Sequence, residues 1–95
     1  MQFSRELRDD VAAGRITLTY RLWSRLQVKV GGRYAIGEAE FEVDDIELVP
    51  FSSITAADLR KTGEPDLESL RNRTAHAGPV TDDTLVYRIE FHIVQ

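Results

Sequence analysis

The sequence contains no cysteine. Disulfides, thiolate zinc sites and a cysteine nucleophile are excluded together, and the absence suits a reducing, cytoplasmic setting. It also contains nothing near the ~18 uninterrupted apolar residues of a membrane helix. The opening Met-Gln-Phe-Ser-Arg-Glu lacks the apolar core of a secretory signal, so neither secretion nor a membrane partner is expected. Only two histidines are present, His76 and His92, far apart and with no cysteine between them. That is no metal-ligand spacing, and neither a metal nor another cofactor is expected.

One long stretch lacks acidic residues. Between Val11 and Gly37 there is no Asp or Glu, while Arg15, Arg21, Arg25, Lys29 and Arg33 all lie within it. The adjoining stretch, Glu38 to Glu47, carries six acids and no base. The net charge of −4 therefore hides a strong segregation. Segregated charge can give one positive and one negative face, the positive one suited to phosphate. It can equally give two solvated strand faces that offset each other across a sheet.

What is present bounds the fold. Ninety-five residues make one domain, 1–95, with an ordinary apolar share of 42% and charged share of 29%. Ser4 is placed to cap a helix from Arg5 to Ala13, with Phe3, Leu7 and Val11 along one edge and Gly14 as its stop. Ile16, Leu18, Tyr20 and Leu22 then alternate with Thr17, Thr19, Arg21 and Trp23, the pattern of a strand with an Arg-bearing polar face. Val28 and Val30 lead into a Gly31-Gly32 hairpin-type turn, and Tyr34 and Ile36 continue beyond it. Phe41 and Val43 alternate in one phase and Ile46 and Leu48 in the other, which predicts a bulge at Asp44-Asp45. Pro50 ends that strand.

Thr55 and Asp58 predict a capped short helix closed by Gly63, and Asp66 starts another through about Ala75, with Arg71 and Arg73 near its C-terminal end. The last segment alternates most clearly. Leu85, Tyr87, Ile89, Phe91 and Ile93 share one face, Val86, Arg88, Glu90 and His92 the other. This order predicts an α+β fold, a small curled sheet or barrel with helices packed over its openings.

At Gly14-Arg15-Ile16-Thr17-Leu18-Thr19-Tyr20-Arg21 the chain resembles the ASCH family, which belongs to the PUA-like β-barrels. That family's signature is a helix ending in Gly-x-Lys, followed five residues later by Arg on the first strand. Gly14 and Arg21 match it. The resemblance runs on through the Gly31-Gly32 turn, the acid-rich strand, the Thr55 and Asp66 helices and the Tyr87-Arg88-Ile89-Glu90-Phe91 strand, as a divergent small bacterial member would show. It implies a small PUA-like mixed or antiparallel barrel, a cleft between barrel and helices, and an RNA-related role.

The sequence departs from the signature at Ile16, where the family has Lys. In the family's acetylcytidine amidohydrolases that Lys is the implied nucleophile or base, with a Thr matching Thr19 and a Glu that falls near Glu64. Isoleucine has no lone pair for such work, and Arg15 beside it does not deprotonate. The expected function is therefore RNA or other nucleic-acid binding, with single strands or a nucleotide-like small molecule as the partner. The candidate contacts are Arg15, Thr17, Thr19, Arg21, Trp23, Arg25, Lys29 and Arg33. Arg21 offers a permanently charged fork for phosphate and Trp23 a face for a base. Thr19 and Glu64 are the catalytic candidates if the chain is instead a hydrolase of a modified nucleoside or a ribonuclease. A third class, a protein-interaction or regulatory module, would use the acidic strand 38–47.

Overall fold

The segment with the clearest alternation forms the centre of the sheet. In the computed structural model, which describes residues 1–94, β4 (Leu85–Val94) lies between β1 (Leu18–Arg21) and β3 (Ala39–Pro50). β2 (Arg33–Ile36) pairs with the far side of β3. The order is β1-β4-β3-β2 and every pairing is antiparallel. The register of β3 on β4 shifts between Val43 and Asp45, the bulge that the change of phase in the sequence predicts.

Both faces of this sheet are covered. On one, Ile89 and Phe91 meet Phe41 and Val43, with Phe3, Val11 and Ile16 laid over them from α1 (Arg5–Ala12) and its flanks. Phe3, Phe41 and Phe91 form a mutual cluster with ring centroids 5.3 to 5.7 Å apart. Each buried ring contributes about 1.5–3 kcal/mol by leaving water. On the other face, Leu18, Tyr20 and Val86 pack with Phe51, Ile54, Leu70 and Val80. These come from the turn after β3, from α3 (Leu67–Thr74) and from the segment before β4. Val86 thus sits fully buried on the face that β4 otherwise fills with Arg88, Glu90 and His92.

The antiparallel α+β architecture is as the sequence suggests, but the sheet does not close into a barrel: β1 and β2 remain its two edges. The reason lies in residues 22–32. The strand expected at Val28 and Val30 does not form. The Gly31 N–H donates to the Val43 carbonyl at 2.8 Å, and the Gly32 carbonyl accepts from the Val43 N–H at 3.0 Å. The glycine turn therefore docks on β3 instead of completing a hairpin, and Val28 is buried as packing. No strand is left to bridge the edges.

α2 (Ala56–Thr62) starts on a reciprocal cap. The Thr55 hydroxyl accepts from the Asp58 N–H at 3.1 Å, and the Asp58 carboxylate accepts from the Thr55 N–H at 3.2 Å. Gly63 ends the helix at φ +80°, and the Asp66 carboxylate caps α3 by accepting from the Ser69 N–H at 2.7 Å. Arg88 ties α2 to the sheet, bonding Asp58 at 3.0 Å and Glu90 at 2.6 Å. Burial works against the Asp58 carboxylate, but its bonds from Arg88 and Thr55 outweigh that and hold its pKa below the ordinary value. The resulting stability is present at neutral pH and is lost as pH falls through that lowered pKa. Thr55→Ala should cost about 1 kcal/mol, a fall of about 4–8 °C in thermal midpoint for a domain of this size. A midpoint unchanged within a degree would show that the cap contributes nothing. Among the described residues, no helix is long and apolar enough to cross a membrane.

Candidate functional site

β1 is only four residues long and forms one edge of the sheet. Beside it, between the start of α1 and the face of α3, opens a cleft of about 860 Å³. Phe3, Leu7, Leu22 and Leu70 supply apolar wall, and Thr19, Arg21, Trp23, Glu64, Arg73 and His76 bring most of its polar and aromatic character.

Arg21 has a defined orientation. Its Nε donates to the Thr19 hydroxyl oxygen at 3.2 Å, and its guanidinium carbon lies 5.0 Å over the Phe3 ring. Among the described residues it has no carboxylate partner, whereas Arg15, Arg33, Arg71, Arg73 and Arg88 all have one. Burial, and then the charge of Arg73, push the Arg21 pKa down to about 10. The guanidinium is still cationic at neutral pH, but partly desolvated and uncompensated.

Glu64 presents the opposite case. Its side chain is 3% exposed and its carboxylate accepts from Arg73 Nε. Arg73 also donates to the Ser4 hydroxyl at 2.5 Å and reaches Glu6 at 3.4 Å. Ser4 stands at the cap position of α1 but makes no capping bond with its side chain, which serves Arg73 instead. One guanidinium thus joins the loop after α2, α3 and the start of α1 across the wall of the cleft.

The fold brings together four of the residues singled out from sequence: Thr19, Arg21, Trp23 and Glu64 line this one cleft. It separates the others. Thr17 borders a smaller hollow with Asp44, Lys61 and His92, and its N–H donates to the Lys61 carbonyl. Arg15 is exposed and meets Asp10 at 3.5 Å. Arg25 and Lys29 are exposed in the 22–32 loop. Arg33 lies on β2, the opposite edge, where it pairs with Glu42 at 2.9 Å and Glu40 at 3.9 Å. Sequence reading passed over Phe3 and Arg73 as site residues. Arg73 reads as an ordinary cation ending a helix, and its partner Ser4 lies 69 residues away.

A second polar group forms on the sheet surface. The bulge turns Asp44 beside His92, at 2.8 Å, and ligand atoms of Glu42, Asp44 and His92 fall within 4.8 Å of one another. Arg33 already engages Glu42 and the group is largely exposed, which makes it a surface hydrogen-bond network.

No family model matches the sequence, and no curated protein does. Solved structures do match. An ASCH domain from Lactobacillus crispatus superposes with a TM-score of 0.76 at 16% identity, covering 93% of this chain and 70% of that one. The chain has an ASCH-like fold. A protein from Enterococcus faecalis described by the family model DUF984 superposes with a TM-score of 0.70 at 17% identity, covering 94% of this chain and 70% of its own.

Within this ASCH-like fold the departure at position 16 is part of the core. Ile16 is 2% exposed and packs in the cluster with Phe3 and Val11. A Cβ added at Gly63 would come 2.5 Å from its terminal carbon, so Ile16 fills the junction immediately before Glu64. Where the signature has an amine, this chain has a packed hydrocarbon. The cation paired with Glu64 is instead the guanidinium of Arg73.

Proposed function

We propose that the protein binds single-stranded nucleic acid, RNA in the first instance, by drawing one nucleotide into the cleft beside β1. The observation that carries this reading is Arg21, a partly buried guanidinium without a carboxylate partner among the described residues, opening on a concave site. Burying an unpaired charge costs stability, so an arginine kept in that state suits a ligand that supplies the missing anion. Trp23, half-buried in the same cleft, offers aromatic surface for a base. The resemblance to the ASCH family implies the RNA-related role.

The scattering of the other cations limits the footprint. Arg15 and Arg33 are engaged by acids, and Arg25 and Lys29 do not line the cleft, so binding there rests on one or two phosphates rather than a basic track. Titrating a fluorescently labelled single-stranded RNA at several salt concentrations should give a shallow dependence, a log–log slope of about −0.7 to −1.4. A slope steeper than about −3 would mean an extended basic surface and would remove the single-nucleotide reading. Hydrolysis is supported by one observation, that Thr19 and Glu64 share the cleft. Packed Ile16 and the engagement of Glu64 by Arg73 favour binding; turnover of acetylated cytidine by the folded protein would reverse that preference.

A further inference from the structure

We propose that the cleft is built for a terminal phosphate, the phosphomonoester of a nucleotide or of a nucleic-acid end, held between Arg21 and Arg73 in preference to the diester within a strand. This rests on the nucleotide-binding reading of the same cleft and specifies which phosphate it takes.

The argument comes from counting donors. Arg21 spends its Nε on Thr19, and neither of its Nη groups has a protein partner among the described residues. The Thr19 hydroxyl accepts that bond, so its own hydrogen is free to donate. The Ser4 hydroxyl likewise accepts from Arg73 and keeps its hydrogen. Arg73 Nη2 makes only the 3.4 Å contact to Glu6, whose side chain is 68% exposed and readily released to water. Against these donors the cleft sets one carboxylate, Glu64, already engaged by Arg73. The lining therefore sets two guanidiniums and two free hydroxyl hydrogens against a single carboxylate. An internal diester offers two free oxygens and one negative charge. A monoester offers three oxygens and a charge of about −1.5 to −2, enough to meet both guanidiniums and a hydroxyl together. It would also relieve the repulsion between Arg21 and Arg73, which both line the cleft.

The cation distribution points the same way. Recognition of an internal phosphate in a strand calls for further cations along the chain on either side. Yet Arg71 is held by Asp82 and Arg88 by Asp58 and Glu90, Arg33 lies at the far edge of the sheet, and Arg25 and Lys29 are exposed in the 22–32 loop outside the cleft lining. A chain end needs only the local site.

The test compares one short single-stranded RNA in three forms, with a 5′-phosphate, with a 3′-phosphate and with hydroxyls at both ends, alongside a free 5′-mononucleotide as competitor. At least one phosphorylated form should bind tenfold or more tightly than the unphosphorylated strand. Arg21→Ala should erase that advantage and Thr19→Val should reduce it several-fold, with thermal midpoints confirming that both variants are folded. A mononucleotide that competes as well as the phosphorylated strand identifies a nucleotide-sized ligand; a strand that binds better identifies a nucleic-acid end. Equal affinity for phosphorylated and unphosphorylated strands, both dependent on Arg21, overturns the terminal phosphate and leaves the nucleotide reading standing. No binding of any form by folded protein removes both.

Discussion

Replacing Arg21 with methionine should cut nucleic-acid affinity on the order of 10- to 100-fold, the worth of one or two charge-assisted hydrogen bonds, while leaving the protein as heat-stable as before. The two halves of this result belong together. Arg21 gives the folded state a bond to Thr19 and a position over Phe3, each worth about 0.5–1 kcal/mol in a partly exposed setting. Against these stand the desolvation of its charge and the repulsion from Arg73, the two causes that lower its pKa to about 10. Methionine has similar length, keeps the contact with Phe3 and carries no charge. Exchange of a poorly compensated partly buried charge for an apolar side chain is commonly neutral or favourable, so a change between zero and about +1 kcal/mol is expected. Loss of binding without loss of stability is the mark of a residue kept for its ligand. A fall of more than about 5 °C in thermal midpoint, roughly 1 kcal/mol here, would instead make Arg21 a structural residue.

Much of the fold was legible because local pattern and tertiary structure agree. The alternation from Leu85 to Ile93 marks β4, the change of phase at Asp44-Asp45 marks the bulge, and Thr55, Gly63 and Asp66 mark helix ends through caps that do form. The failures have specific causes. Val28 and Val30 look like strand residues, but the backbone beside them spends its bonds on β3 through Gly31 and Gly32. Strand order is not a local property. Placing β4 between β1 and β3 carries Arg33 to the edge opposite Arg21, so a stretch that is continuous in sequence is divided in space. The site was half legible for the same reason. Thr19 and Arg21 share a face of β1, Trp23 continues their alternation just past its end, and the resemblance adds Glu64. Arg73 is held at the cleft by Glu64, nine residues away, and by Ser4 and Glu6, which are 69 and 67 residues away.

Arg73→Ala should be the most damaging single change at the site, and for a reason distinct from that of Arg21. It leaves the Glu64 carboxylate, 3% exposed, without its cation. Removing one partner of a fully buried pair costs about 3–5 kcal/mol. Arg73 is itself 38% exposed, so water can reach the space it vacates and about 2–3 kcal/mol is the better expectation. That corresponds to a fall of about 10–20 °C in thermal midpoint. The change also frees Ser4 and Glu6, so amides at the start of α1 should exchange faster with solvent, an effect that Glu64→Gln alone should not produce. Combining the two substitutions separates the contributions. Neutralising Glu64 in the Arg73→Ala background should recover most of the lost stability, because the penalty comes from the stranded charge. The exchange at α1 should stay fast, because the link to Ser4 and Glu6 is still missing. If the double variant were as unstable as Arg73→Ala, the stabilisation would lie in Arg73's grip on α1 rather than in its pairing with Glu64. The cleft would then depend on how α1 is seated over the Phe3 cluster, and Glu64 would be a bystander to its shape.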